Sequence, residues 1–171
     1  MSRLIPDIVD TVVPSWGVAA IPTISVMIFS ALTVLPFVAD APLLPPFGLL
    51  LFLAWRLMRS DIWPVWIGIP LGFWDDLLSG QPIGSAVALW TAIMLAMDVL
   101  DRRVVWRDFR IDWLIGGAAL AFVIIGSALL TRALSPVAAI QLVWPQILWS
   151  WLLLPLAMLV VARLDTLRLS A

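Results

Sequence analysis

Two adjacent carboxylates, Asp75 and Asp76, stand inside a strongly hydrophobic part of the chain, in the segment 72–84. A carboxylate at membrane depth costs about 2.5–3.5 kcal/mol on insertion scales, so it usually faces the protein interior or a wet cavity. The glycines and the proline that follow allow the chain to turn and start another helix. We therefore expect the candidate site here, as a motif or pocket made by six residues: Asp76, Asp75, Gly72, Gly80, Pro82 and Gly84.

The chemistry open to these carboxylates follows from their spacing. Neighbouring residues on a helix point about 100° apart, which argues against both facing one cavity. One interpretation is that Asp76 caps the backbone amides of the following turn or helix, where a helix N-terminus favours an anion. The other is that Asp76 and this helix start form the floor of a ligand pocket. An intramembrane aspartyl hydrolase would need carboxylates that converge from different helices, so we expect no enzymatic activity.

The composition is that of a membrane protein rather than a soluble domain. Of the 171 residues, 63% are hydrophobic and 12% are charged, and the mean hydropathy is +1.09. A soluble domain is about half apolar and a quarter charged. Cys, His, Lys, Glu, Asn and Tyr are absent, so we expect no disulfide, no metal site and no cofactor. The net charge of −1 and the scattered arginines give no nucleic-acid footprint.

The apolar stretches predict an all-α polytopic membrane protein, a single domain over residues 1–171 with six transmembrane helices. The predicted spans are 17–38, 43–58, 62–78, 83–100, 112–133 and 142–162. With six spans, Arg132 is the only arginine outside, and the other nine lie inside. Because cytoplasmic loops carry the excess of Lys and Arg, both termini are predicted to be cytoplasmic.

Several other features have more than one interpretation. Residues 3–16 show helical periodicity and form either an interfacial helix or an extension of the first span. Small residues on the third and fifth spans allow close helix approach, either inside the bundle or against a partner helix. These possible partner contacts are Gly68, Gly72, Gly116, Ala119 and Gly126.

Side-chain spacing gives a few further predictions. Asp98 and Arg102 are spaced to form an i,i+4 ion pair, and Pro70 is expected to kink the third span. Gln146 and Ser150 share a face, which allows hydrogen bonds across helices, but packing is the favoured role. Three tryptophans far from the span ends are predicted to pack between helices: Trp74, Trp149 and Trp151.

The segment 72–84 and its surroundings resemble the MreD family of rod shape-determining proteins. The segment is similar to the family pattern of Gly, three residues, Asp-Leu-(Leu/Ile)-(Ser/Thr)-Gly and a small loop that ends in Gly, with Asp76 at the family Asp position. Pro42-Leu43-Leu44-Pro45 before the second span, a Trp-Pro pair at the start of the last, and the length also agree. The resemblance covers the whole chain, but its only sharp motif is this segment.

The resemblance implies a non-enzymatic subunit of the bacterial cell-elongation complex in the cytoplasmic membrane. The implied partners are a bitopic MreC-type protein, MreB-type filaments, and the elongation transpeptidase with its glycosyltransferase, besides membrane lipid. The implied fold is akin to the substrate-binding components of energy-coupling-factor transporters. A membrane transport subunit that binds a small molecule or a lipid is therefore the alternative function, although fold alone does not carry function.

Overall fold

The chain folds into a helical bundle. The structure is a computed structural model and describes residues 16–32, 44–103, 108–131 and 136–170. These described residues form six α-helices and no strand, which confirms the all-α class. The helices are α1 (Trp16–Ala31), α2 (Phe47–Met58), α3 (Gly68–Ser79), α4 (Ser85–Arg103), α5 (Phe109–Thr131) and α6 (Pro136–Ser170), and a single 3₁₀ turn, Val65–Ile67, leads into α3.

Two of these helices are long and apolar enough to cross a membrane, as judged by length and composition. They are Phe109–Leu130 in α5 and Gln141–Leu167 in α6. Only 33% and 22% of the residues in their most apolar windows are buried, whereas the core helix of a soluble protein would be mostly buried. The outward faces of α5 and α6 carry large apolar side chains such as Phe122, Leu156 and Leu159. These helices therefore indicate association with a membrane.

α2 and α3 are shorter than the spans predicted from the sequence. α2 and α3 have 12 residues each, or about 18 Å at 1.5 Å per residue, against a hydrocarbon core of about 30 Å. The predicted span 62–78 becomes helical only after Pro64, through the 3₁₀ turn. The expected kink at Pro70 is wrong, because Pro70 lies in the first turn of α3, where its missing N–H breaks no helical bond.

α2 is the central helix of the bundle. Every residue from Gly48 to Leu57 is buried, and a helix that is apolar all round is typically an interior helix. α1, α5 and α6 pack on it, while α3 pairs with α4. The Phe52 ring of α2 stacks between the Trp63 and Trp90 rings, with centroids 5.5 and 4.6 Å away.

Tryptophans also join neighbouring helices. The Trp113 and Trp151 rings stack at 4.6 Å, and each indole N–H donates to the other residue's backbone carbonyl, at 3.1 and 3.2 Å. The Trp74 indole donates to the Met27 carbonyl of α1. Packing between helices is thus confirmed for Trp74 and Trp151. The prediction is wrong for Trp149, because this side chain points away from the bundle and is 55% exposed.

Polar contacts hold the helix ends together at two opposite places. At one end, which we term the arginine end, Arg56 pairs with Asp101 and Arg59 pairs with Asp165. These pairs bring together the carboxyl ends of α2, α4 and α6. At the other, the motif end, Asp76 near the end of α3 contacts the start of α4. α2, α4 and α6 thus end at the arginine end, whereas α3 ends at the motif end. This is the order expected when consecutive helices are antiparallel.

Candidate functional site

Asp76 lies at the centre of the motif end and binds the first turn of α4. Its Oδ1 accepts hydrogen bonds from the Ala86 N–H at 2.8 Å and the Ser85 hydroxyl at 2.9 Å. Its Oδ2 accepts from the Gly84 N–H at 2.8 Å and, more weakly, from the Val87 N–H at 3.4 Å. The residue is 2% exposed. We call this arrangement the Asp76 clamp: Asp76 with its donors Gly84, Ser85, Ala86 and Val87.

The clamp favours the capping interpretation of Asp76 over the pocket interpretation. A helix N-terminus has amide groups that no carbonyl of the helix can satisfy, and it attracts negative charge. Asp76 supplies both an acceptor and a charge from a different helix. Four donors from the chain itself surround the carboxylate, so its oxygens are already engaged without a ligand.

The turn between α3 and α4 depends on two glycines with positive φ. Gly80 ends α3 with φ 65°, and Gly84 precedes α4 with φ 100°. A residue with a Cβ pays about 1–2 kcal/mol in this left-handed region. Between them, the Pro82 carbonyl accepts the Ser85 N–H at 3.0 Å. Gly80, Pro82 and Gly84 therefore shape the corner that presents the α4 amides to Asp76.

Gly72 and Gly68 let α3 and α4 approach closely. A Cβ on Gly72 would lie 2.8 Å from backbone atoms of Ala86 and Val87, and one on Gly68 would lie 2.9 Å from the Thr91 nitrogen. Real Cβ atoms essentially never come under 3.0 Å. Both glycines thus face the chain's own α4 rather than a partner.

The small residues of α5 also lie mostly inside the bundle. A Cβ on Gly116 would meet the Leu154 side chain of α6, and one on Gly126 would lie 2.6 Å from the Leu89 side chain of α4. Ala119 is half-buried against the core and borders a groove between α4 and α5. Of the two interpretations of these positions, the structure favours internal packing at all four glycines.

Asp75 points away from Asp76, as the helical spacing predicted. It is half-buried and interacts with the Ser30 hydroxyl of α1. Ser30 lies against Gly48, the second residue of α2, where no Cβ would fit. The two carboxylates therefore serve different neighbours, one on α1 and one on α4. Among the described residues, no group of three or more acidic side chains is placed to hold a metal ion.

The arginine end contains a buried ion pair that the sequence interpretation missed. Arg56 is only 4% exposed, and its Nη2 lies 2.6 Å from Oδ2 of Asp101. Arg59 binds Asp165 through Nη2 at 2.8 Å and Nε at 3.1 Å. Hydrogen bonding to Asp165, together with the negative charge of that carboxylate, raises the pKa of Arg59 above its ordinary value. The sequence did contain an indication of these ion pairs, because an otherwise apolar helix ends with two arginines three residues apart.

Other predicted polar contacts were partly right. The Asp98–Arg102 pair is confirmed, with N and O atoms 2.9 Å apart at an exposed position. Gln146 of α6 donates to the Leu44 carbonyl ahead of α2, which confirms a bond beyond its own helix. Ser150 is buried and donates to the Gln146 carbonyl within α6 rather than to another helix. The predictions for residues 3–15 and for Arg132 lie outside the described residues.

No protein-family model, no curated relative and no solved structure matches the chain. The functional argument accordingly depends on the motif, its geometry and the physical character of the helices.

Proposed function

We propose that this chain is an MreD-type subunit of the bacterial cell-elongation complex. It is a multi-pass protein of the cytoplasmic membrane that scaffolds or regulates peptidoglycan synthesis and carries no enzymatic activity. The observation that carries the proposal is the Asp76 clamp. Each main residue of the motif on which the resemblance depends has a structural role. Asp76 is the anion that binds the α4 amides. Gly80 and Gly84 have positive φ in the turn, and Gly72 lies at the contact between α3 and α4.

The clamp favours a scaffold over a transport subunit. A subunit that captures a small molecule needs a few polar groups that converge on a cavity. Asp76 was the residue that suggested such a cavity, and its oxygens already accept four donors of the chain. The groove between α4 and α5 is lined by apolar side chains. The motif therefore stabilises a rigid corner between two helices, as a scaffold requires.

The proposal includes six membrane crossings with both termini in the cytoplasm and a fold akin to the substrate-binding components of energy-coupling-factor transporters. α5 and α6 have the length and composition for crossing. The antiparallel order of the six helices supports the remaining crossings. Arginines cluster where α2, α4 and α6 end, and the positive-inside tendency assigns that end to the cytoplasm.

The proposed partners are a bitopic MreC-type protein, MreB-type filaments, and the elongation transpeptidase with its glycosyltransferase. Copurification from native membranes tests this assembly. A tagged copy of the chain, expressed at its natural level and extracted in mild detergent, is expected to carry the MreC-type protein with it. The Asp75→Ala variant should retain the partner, whereas Asp76→Ala should lose it together with folded protein. Recovery of an ATPase module in place of the MreC-type protein would contradict the proposal and favour the transport alternative.

A further inference from the structure

An apolar groove runs between α4 and α5 toward the arginine end. Near the motif end the two helices touch where Leu89 packs on Gly126. Between that contact and the arginine end, the two helices leave a groove of about 320 Å³. Its walls include three α4 residues four positions apart and three residues of α5: Ala92, Ala96, Leu100, Ile115, Ala118 and Phe122.

The width of the groove suits one hydrocarbon chain. The eight residue steps from Ala92 to Leu100 correspond to about 12 Å at 1.5 Å each. Spread over that length, 320 Å³ gives a mean cross-section of about 27 Å². An extended acyl chain is about 4–5 Å across by van der Waals contact, or roughly 13–20 Å², which the groove accommodates.

A positively charged residue follows the groove-lining residues along α4. Arg103 follows Leu100 by three residues, so it continues the face of α4 that lines the groove, and its side chain is exposed. The neighbouring Arg102 is paired with Asp98, and Asp112 at the start of α5 has a partner of its own within the chain. Basic pockets between membrane helices on the cytoplasmic side bind anionic lipid headgroups.

We propose that the α4–α5 groove holds one acyl chain of an anionic glycerophospholipid whose phosphate contacts Arg103. The proposal rests on the membrane insertion proposed above, but it does not depend on the elongation complex. The apolar walls keep the polar headgroup outside the groove. There, Arg103 favours a headgroup with a negative charge. The site thereby fills a gap between the two helices.

Native mass spectrometry of the purified protein tests the lipid and its charge. After exposure to mixed micelles of phosphatidylglycerol and phosphatidylcholine, the wild type is expected to retain one phosphatidylglycerol preferentially. Arg103→Gln should weaken that retention about fivefold, the factor that corresponds to about 1 kcal/mol for one arginine near anionic lipid. Arg163→Gln, which removes an exposed arginine of α6, is the matched control and should change nothing.

Filling the groove tests its position. Ala96→Leu and Ala118→Leu place bulk at exposed alanines of the two walls and should abolish lipid retention without lowering the unfolding temperature. Ala31→Leu on α1 is the control. A phosphatidylglycerol with a photoreactive acyl chain should crosslink to α4 and α5 in the wild type only.

Three results would overturn the proposal. The first is equal retention of the two lipids by the wild type, and the second is equal effects of Arg103→Gln and Arg163→Gln. The third is normal lipid retention in Ala96→Leu with loss of a copurifying protein, which would make the groove a helix-docking site. Copurification of the MreC-type protein is scored separately, so the lipid site and the proposed function can fail independently.

Discussion

Removal of the Asp76 side chain gives the sharpest perturbation of the motif. Asp76→Ala leaves the Gly84 and Ala86 amides without their acceptor, whereas the Ser85 hydroxyl can still donate to Oε1 of Gln81 at 3.3 Å. The contact to Val87 at 3.4 Å is too long to contribute much. The Asp76→Ala substitution also removes a negative charge from the α4 N-terminus.

The expected destabilisation follows from the two amides that lose their acceptor. A buried donor left without a partner costs about 1–3 kcal/mol. We take the lower half of that range, because amides in the first turn of a helix can be reached by water, and expect about 2–4 kcal/mol in total. That is a large part of the 5–15 kcal/mol by which proteins are usually stable. Asp75→Ala loses one polar contact, with Ser30, and should cost about 1 kcal/mol.

Unfolding by sodium dodecyl sulfate in mixed micelles measures the difference, with the fluorescence of the eleven tryptophans as the signal. Asp76→Asn provides a graded variant. It keeps the shape but turns one acceptor oxygen into a donor that faces an amide N–H, so its loss should fall between those of the two alanine variants. Equal destabilisation by Asp76→Ala and Asp75→Ala, or a smaller effect of Asp76→Ala, would refute the clamp.

Three further outcomes are expected elsewhere in the bundle. Arg56→Gln breaks a buried ion pair and should cost about 3–5 kcal/mol in the same unfolding assay, whereas Arg102→Gln at an exposed pair should cost under about 1 kcal/mol; similar losses would contradict the burial. Gly72→Ala forces a Cβ into the α4 backbone and should cost about 1–3 kcal/mol, so unchanged stability would contradict the close contact. In this cysteine-free chain, a Cys at exposed Ser60 should react with an impermeant maleimide only from the cytoplasm, and one at Ile83 only from outside; labelling of both from one side would refute the topology.

Local spacing was sufficient to predict part of the motif and part of the packing. A carboxylate just before a Gly- and Pro-containing turn has a helix N-terminus within reach, which is why capping by Asp76 was foreseeable. The Asp98–Arg102 pair followed from the i,i+4 rule. In both cases the partners are within 11 residues along the chain, so chain geometry alone restricts the outcome.

Contacts between distant residues required the structure. α3 and most of α4 lie between Arg56 and Asp101 in the sequence, and the hydropathy pattern shows only that both are near span ends. Trp149 and Trp151 differ in burial because two positions on a helix point about 200° apart, and only tertiary packing fixes which one faces inward. The partners of Gly72 and Gly126 depend on helix rotation in the same way.

Loss of the protein from its host tests the central claim most directly. In a depletion strain grown in rich and in minimal medium, cell shape is followed by microscopy while the growth requirement is scored. The account predicts that rods become round in both media, and that a wild-type copy or Asp75→Ala restores rod shape while Asp76→Ala does not. Cells that kept their rod shape but acquired a requirement for an external nutrient would contradict it.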